Sequence, residues 1–161
     1  AVMIVGIDPG PIVQSCVLYD ESTRRVAQCR SFSFPAEIDA LQCWMKSYPV
    51  ACEWVESFGM AVGKEVFQTV FNIGVIHQAL HVRLIPRKDV KLFLCQSMRA
   101  KDANIRQSLI DELGVVGTKK NPGPLFGVSQ HYWAALAVAY TAASFAQTER
   151  EATFHKEVCN G

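Results

Sequence analysis

The 161-residue chain has no apolar run near the roughly 18 residues that a membrane-spanning helix needs. Its first residues do not place a basic stretch before an apolar one, so a secretory leader is not expected. None of its six cysteines, at 16, 29, 43, 52, 95 and 159, forms a Cys-x-x-Cys pair, which argues against a zinc ribbon. They lie in apolar segments and read as reduced core thiols of a cytoplasmic protein, not as a disulfide framework. Internal repeats and low-complexity tracts are also lacking. Charged residues make up only 19% of the chain against 50% hydrophobic, the composition of a globular domain whose apolar surplus an oligomer interface would absorb. One domain over residues 1–147 is expected, followed by a charged tail over 148–161 that should fray.

The net charge is only +1, but it is unevenly spread. Between Arg83 and Lys120 nine basic residues face four acidic ones, a surplus of +5 that leaves −4 for the remainder. A basic stretch in an otherwise acidic chain is the footprint of a polyanion-binding face. A solvated helix surface would give the same count.

"AVMIVGIDPGPIVQSCVLYD" reads as a hairpin: an apolar run ending at Asp8, a Pro9-Gly10-Pro11 turn, and a second apolar run. "RRVAQCRSFSF" alternates as a third strand. "PAEIDALQCWMKSY" has Ile38, Leu41 and Met45 at helical spacing, with Pro35 at a plausible first helical position. "PVACEWVE" is a short fourth strand, parallel to the first because a helix connects it to the meander. A helix over Gly63 to Leu80, a fifth strand at "HVRLIP", and helices at "RKDVKLFLC" and "DANIRQSLIDEL" follow, with Asp102 read as an N-cap rather than a ligand. "GVVGTKKNPGPLFGVS" is a loop. The last helix, from near Ser129, is apolar nearly all round and therefore buried. Three antiparallel strands, then helix–strand–helix–strand, then helices, is the element order of the ribonuclease H-like fold: an α/β architecture with a mixed five-stranded sheet flanked by helices.

In that order the first and fourth strands are parallel neighbours, so Asp8 and Glu53 meet at their C-terminal ends. From the hairpin alone Asp8 could be a turn-former. Glu53 interrupts an apolar strand, where an ionised carboxylate is costly unless it faces water, a cation or a metal; Glu56, at the strand exit, is an alternative. His131 at the start of the last helix is a third arm, and a neutral ring there can ligate metal or accept a proton from water. Two carboxylates and a histidine suit Mg²⁺ or Mn²⁺ and hydrolysis of a phosphodiester.

Four blocks, "GIDPGP", "CEWVESFGMAVGKEVFQTVFNIG", "RKDVKLFLCQSMRAKDANIRQSLID" and "GTKKNPGPLFGVSQHYWAALAVA", span most of residues 4–140. In them the chain resembles the RuvC-type Holliday-junction resolvases, in particular the small branch of bacteriophages and prophages. The resemblance implies a metal-dependent endonuclease, a homodimer that cuts four-way DNA junctions in pairs, in the cytoplasm of a bacterial host. It assigns Asp8 and Glu53, not Glu56, as the metal carboxylates, with His131 as the further ligand. Those enzymes usually carry another acid one turn later, where this sequence has Ala134, so a second metal would be held weakly or completed by DNA phosphate. Arg87, Lys91, Arg99, Lys101, Arg106, Lys119 and Lys120 are then expected to neutralise phosphates, with Lys91 and Lys101 nearest the chemistry and Lys101 counted in the catalytic set. Ser57 and Phe58 lie in the loop after the fourth strand, where an aromatic can stack on an unpaired base; a core role for Phe58 is the alternative. The Gly63–Leu80 helix is the expected dimer interface. Three other activities share these features: looser debranching of flaps and forks, non-catalytic junction binding, and cleavage of RNA.

Overall fold

The computed structural model describes residues 2–45 and 47–159, with the side chains of 154–159 outside the description. Its elements are β1 (Met3–Asp8), β2 (Val13–Asp20), β3 (Arg25–Ser33), α1 (Ile38–Met45), β4 (Val50–Trp54), α2 (Lys64–Leu80), β5 (Arg83–Pro86), α3 (Arg87–Cys95), α4 (Asp102–Leu113) and α5 (Tyr132–Cys159). The five strands form one sheet in the order β3-β2-β1-β4-β5. β1–β2 and β2–β3 are antiparallel, and β1–β4 and β4–β5 parallel. This is the mixed ribonuclease H-like sheet expected from the element order.

β1 is the central strand and is buried on both faces, which is why it reads as a continuous apolar run rather than an alternation. Val5 and Ile7 face one way, packing with Cys16, Leu18, Phe32 and Cys52 of the sheet against Leu41 of α1 and Ile73 of α2. Ile4 faces the other way, with Val17, Tyr19, Ala51 and Ile85, against Val90 of α3, Leu109 of α4 and Leu136 of α5. The molecule is thus a three-layer sandwich, with α1 and α2 below the sheet and α3, α4 and α5 above it.

α5 lies along β1 and β2, and its contact with β1 runs through Gly6. A Cβ at Gly6 would stand 2.0 Å from the Ala135 carbonyl oxygen, 2.7 Å from the Ala139 nitrogen and 2.8 Å from the Ala139 Cβ. Only a residue without a side chain lets the helix backbone come so near the strand. Alanines at 135, 137, 139, 142 and 143 keep the helix surface thin enough to fill the space.

Three sequence expectations change. α1 starts at Ile38 and not at Pro35, because the Glu37 carboxylate accepts the Ser33 N–H at 2.6 Å while the Glu37 N–H donates to the Ser33 carbonyl at 2.8 Å, closing a turn ahead of the helix. α5 begins at Tyr132 rather than near Ser129; Gln130 has a positive φ of 45°, and His131 supplies the carbonyl that accepts the first helical bond from Ala135. Residues 148–159, read from the sequence as a separate charged tail, are the end of α5. Glu149 there takes a two-pronged bond from Arg83 of β5, at 2.8 and 3.2 Å, and Arg150 reaches Glu21. Two of the charges that mark a solvated tail in sequence, Glu149 and Arg150, therefore pair with Arg83 of β5 and with Glu21 after β2.

Gly6→Ala is expected to destabilise the fold by at least about 1–3 kcal/mol, the usual cost of overpacking, because the clash is with backbone that cannot swing away. Urea denaturation of parent and variant checks this. An unchanged midpoint would mean that α5 does not lie this close to β1.

Candidate active site

The β1–β4 pairing ends at Ile7 and Cys52, so Asp8 and Glu53 follow side by side where these two strands part. Both point to the α5 side, two residues on from Gly6 and Ala51 respectively, as the two-residue period of a strand requires. The turn after Asp8 is braced from two directions. Buried Gln14 accepts the Gly10 N–H at 3.1 Å and donates to the Gly10 carbonyl at 3.0 Å. Asn72 of α2 donates to the carbonyls of Gly10 and Pro11 at 3.0 and 3.1 Å. "DPGP" is therefore a turn clamped so that the carboxylate before it has one position.

A cleft of about 360 Å³ opens at this edge. Asp8, Glu53, Arg87, Asp102, His131 and Ala134 all line it. His131 Nδ1 is 3.2 Å from Asp8 Oδ2, and the ring is otherwise 80% exposed. Arg87, the first residue of α3, turns one terminal nitrogen to both Glu53 oxygens, at 3.0 and 3.4 Å. Its other terminal nitrogen bonds Asp102, the first residue of α4. The residues thus stand as two linked sets, His131–Asp8 and Glu53–Arg87–Asp102. As arranged, no three His, Cys, Asp or Glu among the described residues form a ready metal cluster.

Burial raises the pKa of Asp8 above the ordinary carboxylate value; His131 and Arg87 pull it back, and Asp102 adds to the rise. Burial also raises Glu53; Arg87 opposes it, and the charges of Asp8 and Asp102 reinforce it. Burial disfavours the charge on Arg87, but Glu53 and Asp102 outweigh it and hold the guanidinium charged. Three carboxylates against one guanidinium leave the cleft two positive charges short of neutral when all are ionised. Carboxylate oxygens with an imidazole are donors for a hard divalent cation, and a deficit of two matches one such ion. The donor chemistry present therefore fits a divalent ion such as Mg²⁺ or Mn²⁺, which Asp8 and Glu53 would hold with His131 beside them.

One sequence assignment is corrected here, and a second residue is found with partners the sequence did not suggest. Asp102 is not the N-cap of α4: that position is Lys101, whose N–H is accepted by the Asn104 side chain at 2.9 Å, and the Asp102 carboxylate is in the cleft. Arg87, expected among the phosphate contacts, has both terminal nitrogens on carboxylates. The other basic residues lie outside the cleft. Lys101 and Arg99 are exposed, Arg106 lies over the Trp133 ring with its guanidinium carbon 4.9 Å from the centroid, and Lys119 and Lys120 sit at the tip of a loop closed by the Gly117–Pro122 bridge. Glu56 is paired with Lys88 at 3.0 Å. Phe58 is 67% exposed, so it is no core residue, and with Lys88, Lys91 and Met98 it lines a shallow surface adjoining Arg87. Ser57 caps the turn below it, accepting the Gly59 N–H at 3.4 Å.

No known family model matches the sequence, and no curated protein sequence does so. Among solved structures, RuvC of Thermus thermophilus in complex with a Holliday junction substrate superposes with a TM-score of 0.68 over 92% of this chain and 97% of that one, at 19% identity. A second Thermus thermophilus RuvC structure gives 0.63 over the same shares, at 18% identity. The fold is that of RuvC.

The raised carboxylates have a measurable consequence. A folded-state pKa above the unfolded value, near 3.8 for Asp8, means that the folded chain binds more protons between the two values. Stability then falls as pH rises through that window and stays lower above it. Asp8→Asn removes this penalty. In metal-free buffer at neutral pH the variant should melt higher than the parent, with the difference vanishing below about pH 3.8. A variant that melts lower at neutral pH would show that the charge on Asp8 is compensated within the fold.

Proposed function

We propose that this chain is a metal-dependent endonuclease that resolves four-way DNA junctions by paired phosphodiester hydrolysis as a homodimer. On this reading it is a phage-type enzyme working in the cytoplasm of a bacterial host. The observation that carries the reading is the pair of carboxylates at the adjacent ends of β1 and β4, Glu53 buried and Asp8 half-buried, short of positive charge and open to a cleft. Its support from comparison is the shared fold, one example of which is solved on a junction.

A divalent ion bound there would polarise the scissile phosphate and lower the pKa of a water. Asp8 and Glu53 hold the ion's place rigidly, because the Gln14 and Asn72 clamps fix the turn and β4 fixes Glu53. His131 is hydrogen-bonded on one side and exposed on the other, so its ring can take up a proton from the attacking water while Asp8 keeps it oriented. Asp102 and Arg87 line the outer wall. Lys91, Arg99, Lys101, Arg106, Lys119 and Lys120 supply phosphate contacts around the cleft, and Ser57 and Phe58 present an aromatic face where strands part at a junction. Paired cutting needs two sites on a two-fold axis. α2 offers the surface for it: Phe67 and Phe71 are exposed, and Val70, Gly74 and Val75 continue an apolar groove between them and Ile38.

The test is cleavage of a four-way junction beside linear duplex, flap, fork and RNA–DNA hybrid, with and without Mg²⁺ or Mn²⁺. Metal-dependent, symmetrically paired cuts in the junction are expected. Asp8→Asn should lose at least about a hundredfold in rate, since even changes behind a metal ligand cost about 10–100-fold, yet keep junction affinity, which phosphate contacts supply. Equal cutting of all substrates would move the reading to general debranching, and junction binding without cleavage to a non-catalytic protein.

A further inference from the structure

We infer that Arg87 is a built-in cation standing where a second divalent ion would otherwise be held, so that this cleft takes one divalent ion and not two. The inference rests on the proposed metal-dependent function and specifies its metal count.

Three observations carry it. The guanidinium bridges two carboxylates that enter the cleft from different elements, Glu53 from β4 and Asp102 from the start of α4. A side chain so engaged is filling a cation position between acids. The chain delivers it there by construction: Ile85 of β5 pairs with Glu53, and Arg87 follows two residues later as the first residue of α3. Secondly, the charge count leaves room for one divalent ion, since Arg87 neutralises one of three carboxylates and two charges remain. Thirdly, Ala134 lines the same cleft one turn along from His131 and offers no donor. A second ion would have to form its shell from Glu53 and Asp102, the two groups Arg87 already holds.

A phosphate-binding role for Arg87 is the competing account. It would require the guanidinium to break its bonds with two carboxylates at once, one of them buried. Arginine suits the bridging role because its planar fork meets two acids at once and its charge does not titrate away. Asp102 suits it too: with an 86% exposed side chain, it anchors the outer end at little desolvation cost.

The experiment is a Mn²⁺ titration of the full chain without DNA, counting bound ions by calorimetry and by the paramagnetic resonance of free Mn²⁺. The parent is expected to bind one ion. Arg87→Gln should bind the first ion about tenfold more tightly or more, because a unit charge beside a divalent ion at a few ångströms is worth at least that, and should admit a second. Arg87→Lys keeps the charge and should stay at one ion. Two ions on the parent, or unchanged or weaker binding by a folded Arg87→Gln, would overturn the inference. Should Arg87→Gln not fold, Arg87→Lys decides, with one ion supporting the inference and two overturning it. A parent that binds no Mn²⁺, alone or with a four-way junction, would instead overturn the metal-dependent function on which the inference rests.

Discussion

The geometry of the cleft depends on how closely α5 lies on β1. Gly6 sets that distance, because any side chain there would enter the Ala135 carbonyl. Asp8 is two residues beyond Gly6 on the same face of the strand, and His131 is one turn ahead of Ala135 on the same side of the helix. Closing the strand–helix gap at one pair therefore closes it at the other, and brings His131 Nδ1 to 3.2 Å from Asp8. Neighbouring strands do the same for Glu53 through the β1–β4 register. The site is a by-product of packing: two periodicities, two residues in a strand and about four in a helix, running in step from a shared close contact.

The same packing sets the electrostatic problem. Burying Asp8 and Glu53 at a strand edge strips water from two acids that also repel each other. A fold selected for stability alone would have apolar residues there, as it does at every other inward position of β1 and β4. Arg87 offsets part of the cost on the Glu53 side, and His131 touches Asp8 without removing the deficit. What remains is an unsatisfied negative potential aimed into an open cleft, the condition under which a divalent ion binds because it relieves strain that folding created.

The sequence made the sheet legible because β1 and β4 are uniformly apolar up to Asp8 and Glu53, so each acid stood out against its strand. The parallel placement of β4 followed from the intervening helix, and with it the meeting of the two acids. Asp102 was not legible, since an acid at a helix start has the same local signature whether it caps the helix or reaches across to another element. Arg87 was hidden for a related reason: inside a run rich in Lys and Arg, one residue turned inward looks like its outward neighbours. Gly6 carried no signal at all, as its role lies in a helix that begins 126 residues later. Glu149 and Arg150 were not legible either, because charges that pair with Arg83 and Glu21 across the fold resemble charges that only solvate a loose end.

The central claim is that the adjacent ends of β1 and β4 form one divalent-cation site. Anomalous diffraction from crystals soaked in Mn²⁺ tests it most directly. The account predicts a single strong peak in contact with both Asp8 and Glu53 and on the His131 side of the cleft. Mn²⁺ bound elsewhere on the chain, with no peak between those two carboxylates, would contradict it.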